Sequence, residues 1–496
     1  MSIAHFEVDW LYFNIGSVST PIASVRTSIA SVRTSIALVS TAHSRESRRL
    51  APGACTIATR AAFPEEIAVA PPRHAVCTVF PAMTLRAILL DVDGTLVDTN
   101  EAHVLAWLEA LEAFGYRVGH DRIAVEIGKG GDLLVSDVLG KDVEKKDGEG
   151  LRKAHGEFYK KRIERDGASF FPGVEELLET IRGAGLRTAI ATSSKKKDLE
   201  LLEKALGRTF ESMVDKVATG DDAEVSKPAP HVVEAACKML GEDPLVCALV
   251  GDSLFDTASA RRAGAASIAV TQGFATREEL VEAGARFIAR DLGHLRESFG
   301  EAVAAASRGK VSFDSSLIEA LMGHALEAAR EGMAKGEVPI GAALFSGMGS
   351  LLASGHNRAC ETGDVTAHAE MDAFRKVAAE GKEIGPGAIL VSSLEPCVMC
   401  LGAAMEVGVD VVIYGLKAPA DGGTERLQAP RSPENMLPRI RGEVRAGESR
   451  ELFVTWLARL GTPAQRPYVE QLLAETGKGK EKKPEPKDEA KLEGKG

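Results

Sequence analysis

Two groups of side chains in this sequence have the types and spacing to do chemistry. The first is His368, Glu370, Cys397 and Cys400, carried by Thr366-Ala367-His368-Ala369-Glu370 and Pro396-Cys397-Val398-Met399-Cys400. One imidazole and two thiolates are three ligands for a tetrahedral Zn2+, and three protein ligands leave the fourth position open for water. Glu370, two residues past the imidazole, is placed to handle protons of that water without ligating. A Cys-x-x-Cys pair alone would equally suit a redox dithiol or half of a structural zinc site. No second such pair occurs in the chain, and the His-x-Glu partner is present, so a catalytic zinc is the better reading.

The second group is spread over four short segments. Ala87-Ile88-Leu89-Leu90 is an apolar run of the buried parallel-strand kind and delivers Asp91-Val92-Asp93-Gly94-Thr95 at its end. Ligands bind at that edge of open α/β sheets, and acids two apart on a strand point the same way. Thr188-Ala189-Ile190-Ala191 ends in Thr192-Ser193-Ser194, hydroxyls suited to phosphate oxygens. Ser226-Lys227-Pro228-Ala229-Pro230 offers the Lys227 cation, and Ala248-Leu249-Val250-Gly251 ends in Asp252, with Asp256 four residues on. Asp-x-Asp-Gly would also suit a plain turn; four such segments in sequence, each after a strand, make that reading the weaker one.

In this order the four segments resemble the haloacid dehalogenase (HAD) superfamily. The resemblance implies a Rossmann-like parallel sheet in which Asp91 attacks phosphorus and Asp93 donates and then removes a proton. Thr192, Ser193 and Lys227 would bind the phosphoryl group. Asp91, Asp252, Asp256 and the carbonyl of Asp93 would hold Mg2+, a hard ion that takes oxygen ligands. The insert at 97–170, with helical spacing at Ala102, Leu105, Ala106, Leu108 and Leu111, then reads as the family's mobile helical cap, like those of phosphoglycolate phosphatases and β-phosphoglucomutases. Gly128-Lys129-Gly130-Gly131-Asp132 inside it reads either as a substrate contact or as a helix-breaking turn. Phosphatase is the commoner outcome in the family, and phosphomutase stays open.

The zinc segments match the H-x-E…P-C-x-x-C pattern of zinc nucleobase deaminases. They resemble the cytidine/deoxycytidylate deaminase superfamily, and their wording is closest to its tRNA adenosine and guanine deaminase branch. The resemblance implies a three-layer α/β/α domain, a substrate contact from Asn357 and a homodimer through this domain. Two substrates fit: adenosine in a tRNA anticodon loop, or a free nucleobase or nucleoside in nucleotide salvage. Where the tRNA enzymes carry a Lys-Thr-Gly-Ala-like segment, this chain reads Lys417-Ala418-Pro419-Ala420-Asp421-Gly422-Gly423-Thr424, which weakens the tRNA reading. The close spacing of Cys397 and Cys400 argues against the riboflavin-pathway deaminases.

The elements that must position these residues divide the chain. Residues 1–82 hold a tandem Ser-Val-Arg-Thr-Ser-Ile-Ala repeat at 24–37 and read as an unstructured leader, with Met83 as an alternative start and a transit peptide as the rival reading. Residues 83–306 form the first folded unit, ending in a helix expected over Leu295–Ala306. The polar stretch 307–311 is the linker, and 312–475 the second unit. That unit opens with a helix bearing Leu317, Leu321, Ala325, Leu326 and Ala329 on one face. Asp364 or Thr366 is expected to cap the helix carrying His368 and Glu370, and Pro396 to open the helix carrying both cysteines. His356 reads as a surface or packing residue, and 476–496 as a charged, disordered tail.

At 496 residues the chain is too long for one core. A composition of 45% hydrophobic and 26% charged residues is that of an ordinary soluble protein. The net charge of −11 argues against a protein devoted to nucleic acid. Seven scattered cysteines make no disulfide scaffold and suit a reducing, cytoplasmic compartment, and no apolar run is long enough to span a bilayer.

Overall fold

A computed structural model describes residues 85–427 and 436–477. The leader 1–82, Met83 and all but the first two residues of the tail lie outside the described residues. Those described belong to one compact unit built on two sheets.

Six short strands make the first sheet: β1 (Ala87–Leu90), β2 (Arg187–Ala191), β3 (Lys216–Ala218), β4 (Cys247–Gly251), β5 (Ala266–Val270) and β6 (Phe287–Ala289). Their order is β3-β2-β1-β4-β5-β6 and every pairing is parallel. Chain order reverses beside β1, so a crevice opens at the carboxyl ends of β1 and its neighbours. Every residue of β1, β4 and β5 is buried, as expected of strands covered by helices on both faces.

Between β1 and β2 the chain leaves the sheet to form four helices, α1 (Asn100–Ala113), α2 (His120–Ala124), α3 (Gly131–Leu139) and α4 (Lys141–Asp166). Val104, Trp107, Leu111, Ile123, Leu134, Val135 and Leu151 give this cap a small core of its own. One face of the sheet is covered by α5 (Val174–Gly183) and α6 (Lys196–Leu206), the other by α7 (His231–Leu240) and α8 (Leu254–Ala263). Helix α9 (Arg277–Ala283) follows β5. The single helix expected over Leu295–Ala306 is two, α10 (Leu292–Glu297) and α11 (Phe299–Ala306). They part at Ser298, whose backbone is not helical, and Ser favours helix ends over interiors.

The second sheet has β7 (Gly341–Phe345), β8 (Leu351–His356), β9 (Ala388–Leu394), β10 (Val409–Leu416) and β11 (Arg439–Arg441) in the order β11-β10-β9-β7-β8. Strands β9, β10 and β11 run parallel, and β7 is antiparallel to both its neighbours. Alternate residues separate the layers: Ala343, Phe345, Val391 and Ile413 face α12 (Ser315–Ala334), while Ala342, Leu344, Leu390 and Val412 pack with α14 (Ala369–Ala379) and α15 (Val398–Glu406). The three-layer arrangement therefore holds. A short α13 (Ala359–Thr362) precedes α14, and α16 (Ala446–Arg459) and α17 (Arg466–Thr476) pack together around Phe453 and Trp456.

One hydrophobic core runs through both halves. Val232, Cys237, Leu245 and Ala260 of the first cluster with Phe313, Ile318, Leu321 and Val444 of the second. The 307–311 segment lies between them, with the Lys310 amide donating to the Gly347 carbonyl (2.8 Å). Among the described residues no helix is long and apolar enough to cross a membrane.

Candidate active sites

In the first half, β1, β2 and β4 bring Asp91, Thr192 and Asp252 to one sheet edge, and the loop before α7 adds Lys227. Lys227 is fully buried, and its ammonium donates to Asp91 Oδ1 (2.6 Å) and Asp256 Oδ1 (2.7 Å). The second oxygen of Asp256 accepts from the backbone N–H and hydroxyl of Ser253 and so caps α8. Thr95 and Asn100 donate to the two oxygens of Asp252 (2.8 and 2.9 Å). Gly94 is required here: its φ is +80°, and a Cβ would stand 2.3 Å from Asp252 Oδ2.

Asp91, Asp252 and Asp256 bring carboxylate oxygens within 4.8 Å of one another around a single lysine. Burial first, and then mutual repulsion, pushes the Asp91 carboxyl well above the usual range and Asp252 up to about 7. A buried cluster with more acid than base is a donor set that fits a hard dication. Both oxygens of Asp256 and both of Asp252 already accept hydrogen bonds, so a dication would share these carboxylates with their present donors.

The Asp93 carboxylate stands outside that group. Ser194 (2.6 Å), Thr99 (2.6 Å) and the His103 ring (3.2 Å) surround it. Burial opposes its ionisation, but His103 and the two hydroxyls outweigh burial and hold the carboxyl well below the usual range. Thr192 Oγ1 accepts from the Ser194 amide (3.0 Å), while Ser193 lines the cleft and its hydroxyl is buried with no hydrogen-bond partner among the described residues.

That cleft has a volume of 1010 Å3 between sheet and cap, and Gly128–Asp132 lines it while also forming the turn into α3. Over Asp93 the cap stacks its rings. His103 lies 4.0 Å from Tyr159, Trp107 lies 4.3 Å from His155, and the two histidines are 3.2 Å apart between ring nitrogens. Sequence reasoning missed His103, His155 and Tyr159. The available signal was rings four residues apart, His103 and Trp107 on α1 and His155 and Tyr159 on α4.

In the second half, His368 Nδ1 stands 3.6 Å from Cys397 Sγ and 3.5 Å from Cys400 Sγ. Tetrahedral N and S ligands at ordinary zinc bond lengths stand about 3.6 Å apart, so the three fit Zn2+. His368 and Cys397 are themselves the N-caps of α14 and α15. The expected caps are corrected accordingly: Asp364 turns to Thr366 (2.8 Å), and Pro396 precedes the cap. Extended backbone at both caps aims the ligands at one point, where two helix N-termini favour thiolate. The Cys397 thiol is lowered to about 4, by the hydrogen bond from Cys400 first and His368 after it, against burial.

Glu370 is buried in the first turn of α14, accepts from Ser392 Oγ (2.9 Å) and is raised by burial. A carboxyl raised in this way holds and releases a proton closer to neutrality. Asn357 is buried after β8, and its amide donates to Glu337 Oε2 (3.0 Å). Fully buried Glu337 also accepts from the backbone amides of Cys360 (3.2 Å) and Glu361 (2.7 Å). Arg358 N donates to Ala367 O (2.9 Å), which ties the Asn357 loop beside His368. His356 is buried, not at the surface: Nδ1–H donates to the Asn357 carbonyl (2.8 Å) and Nε2 accepts from Lys335 (2.9 Å). It lies outside the metal triad.

Two family models match: haloacid dehalogenase-like hydrolase over residues 85–264, and the cytidine and deoxycytidylate deaminase zinc-binding region over residues 315–416. Protein CbbY of Rhodobacter capsulatus is 32% identical over 202 residues, 37% of this chain and 83% of that one. N-acetylmuramic acid 6-phosphate phosphatase of Pseudomonas aeruginosa is 31% identical over 200 residues, 40% of this chain and 86% of that one. A tRNA(Ile)-lysidine synthase of Deinococcus radiodurans is 37% identical over 175 residues, 34% of this chain, and this chain spans 30% of its length. The chain thus belongs to the haloacid dehalogenase-like hydrolases and carries a cytidine and deoxycytidylate deaminase zinc-binding region in its second half.

Proposed function

We propose that the chain is a bifunctional hydrolase, a phosphatase acting through an aspartyl phosphate joined to a hydrolytic nucleobase deaminase. In the first site Asp91 attacks phosphorus and the substrate oxygen leaves with a proton from Asp93. Asp93 then takes a proton from water as that water opens the acyl phosphate and phosphate departs. Lys227 and the hydroxyls of Thr192 and Ser193 hold the phosphoryl oxygens. Mg2+ on Asp91, Asp252 and the Asp93 carbonyl would offset charge on the transferring group. The cage of Ser194, Thr99 and His103 holds Asp93 as a carboxylate, the state that takes a proton from water in the second step, and a phosphatase among the relatives supports the reaction class.

In the second site His368, Cys397 and Cys400 would hold Zn2+, which supplies Lewis-acid activation of water. Glu370 takes a proton from the attacking water and delivers protons to the ring nitrogen and the departing amine, so that C–NH2 and water become C=O and ammonia. Asn357, fixed by Glu337, orients the base. The observation that carries this reading is the ligand spacing with buried Glu370 beside it.

Adenosine in a tRNA anticodon loop is the substrate we favour. The motif wording and a relative whose name concerns tRNA support it. The segment 417–424 and the net charge favour a free base or nucleoside as the second reading, which would place the chain in nucleotide salvage. Crossed variants test the bifunctional reading. Asp91→Asn should abolish phosphate release and spare ammonia release, and Glu370→Gln should do the reverse with zinc retained. Full activity of either variant in the reaction assigned to it would refute that assignment.

A further inference from the structure

The segment 417–424, which departs from the deaminase pattern, lies just beyond the matched zinc-binding region and is held from two sides. On one side it wraps the zinc loop. Buried Glu395, two residues before Cys397, accepts from Ala418 N (3.0 Å), from Thr424 N (3.2 Å) and from the Thr424 hydroxyl. Gly423 N donates to Pro396 O (2.9 Å), and Cys397 pairs with Gly422. A Cβ on Gly422 would strike the Glu395 carboxylate at 2.3 Å, and one on Gly423 would meet Val398 N at 2.8 Å. No other residue type fits this close approach.

On the other side stands Arg261 of α8, in the phosphatase-like half. Its side chain is buried, and both terminal nitrogens donate to the Thr424 carbonyl at 3.4 Å. The seam continues beside it. Arg286 and Arg439 grip Asp410 at the start of β10 (3.0 and 2.8 Å), and Arg439 reaches back to the Leu245 carbonyl (2.8 Å). Helix α8 thus spans both sites: Asp256 near its start holds Lys227, and Arg261 near its end holds the segment that cradles Cys397.

We infer that the phosphatase-like half is a positioning platform for the zinc site, with Arg261 the positioning residue that reaches Cys397 through Thr424 and Glu395. This rests on the reading of His368, Cys397 and Cys400 as zinc ligands. The departing segment is then shaped to dock on the phosphatase-like half.

The test is zinc release from the full chain to a chromophoric chelator, for the wild type, Arg261→Lys, Arg261→Met and Thr424→Val. Groups that orient metal ligands typically change affinity at least about tenfold when removed. Arg261→Met and Thr424→Val are each expected to release zinc about tenfold faster, with Arg261→Lys between them and the wild type. Phosphate release from p-nitrophenyl phosphate should stay within about twofold, which shows that the first half is folded. If Arg261→Met does not fold, Arg261→Lys and Thr424→Val carry the test. Wild-type release rates in both would overturn the inference. A wild-type chain without zinc would instead overturn the reading of the ligands.

Discussion

Replacing Asp410 by Asn keeps its shape and removes one negative charge from the seam between the halves. Asp410 and Arg286 have side chains 3% exposed, and Arg439 only 6%, so no water can take over. Burial opposes the charge on Asp410, but Arg286 and Arg439 outweigh it and lower the carboxyl to about 2. Removing one member of such a buried pair costs about 3–5 kcal/mol, because the remaining charge is left uncompensated. Against a domain stability of about 5–15 kcal/mol that is a large fraction. Urea unfolding followed by tryptophan fluorescence, with Trp107 in the cap and Trp456 in the second half, measures it. Asp410→Asn should lose at least about 3 kcal/mol. The triple variant Arg286→Met, Asp410→Leu, Arg439→Met should recover only part of that, since it removes all three charges but leaves the Leu245 and Leu437 carbonyls without these donors. A loss below about 1 kcal/mol for Asp410→Asn would refute the argument that this contact is desolvated. The same contact sets an acid limit. A folded pKa of about 2 lies below the unfolded value, so the stabilisation is full above about pH 4 and vanishes as pH falls through 2.

Three more outcomes follow from the two sites. Lys227→Met strands Asp91 and Asp256 without their cation, so it should destroy phosphate release and also lower the unfolding midpoint, by about 3–5 kcal/mol in stability. On the proposed reading, a proton on Asp252, held up to about 7, must leave before a dication binds, so the apparent affinity for added Mg2+, measured by titration, should fall at least about tenfold per pH unit below 7. Glu337→Gln keeps the shape but weakens three hydrogen bonds that set the Asn357 loop, so it should raise KM for deamination more than it lowers kcat, with zinc content unchanged.

Much of both sites was readable because their chemistry sits where secondary structure begins and ends. Asp91, Thr192 and Asp252 follow apolar runs that can only be buried strands, and His368 and Cys397 each stand at the entrance to a helix. Helix boundaries were less legible. Asp364, Thr366 and Pro396 are all good entry residues, yet the backbone turns helical one residue past each ligand. The supporting groups could not be read at all. His103 and His155 are 52 residues apart, Glu395 and Thr424 29 apart, and Arg261 and Thr424 163 apart. Their types are ordinary for exposed helix and loop positions, and only the packing of cap on sheet, and of one half on the other, makes them buried partners. The single core through both halves was hidden for the same reason, since α7, α8 and α12 each read as an ordinary amphipathic helix with one face to bury.

The most direct test of the deaminase assignment is elemental analysis of the purified full chain beside its Cys397→Ser variant. One zinc per wild-type chain, lost in the variant, is the expected result. A wild-type chain with no zinc, or a variant that keeps a full complement, would contradict it.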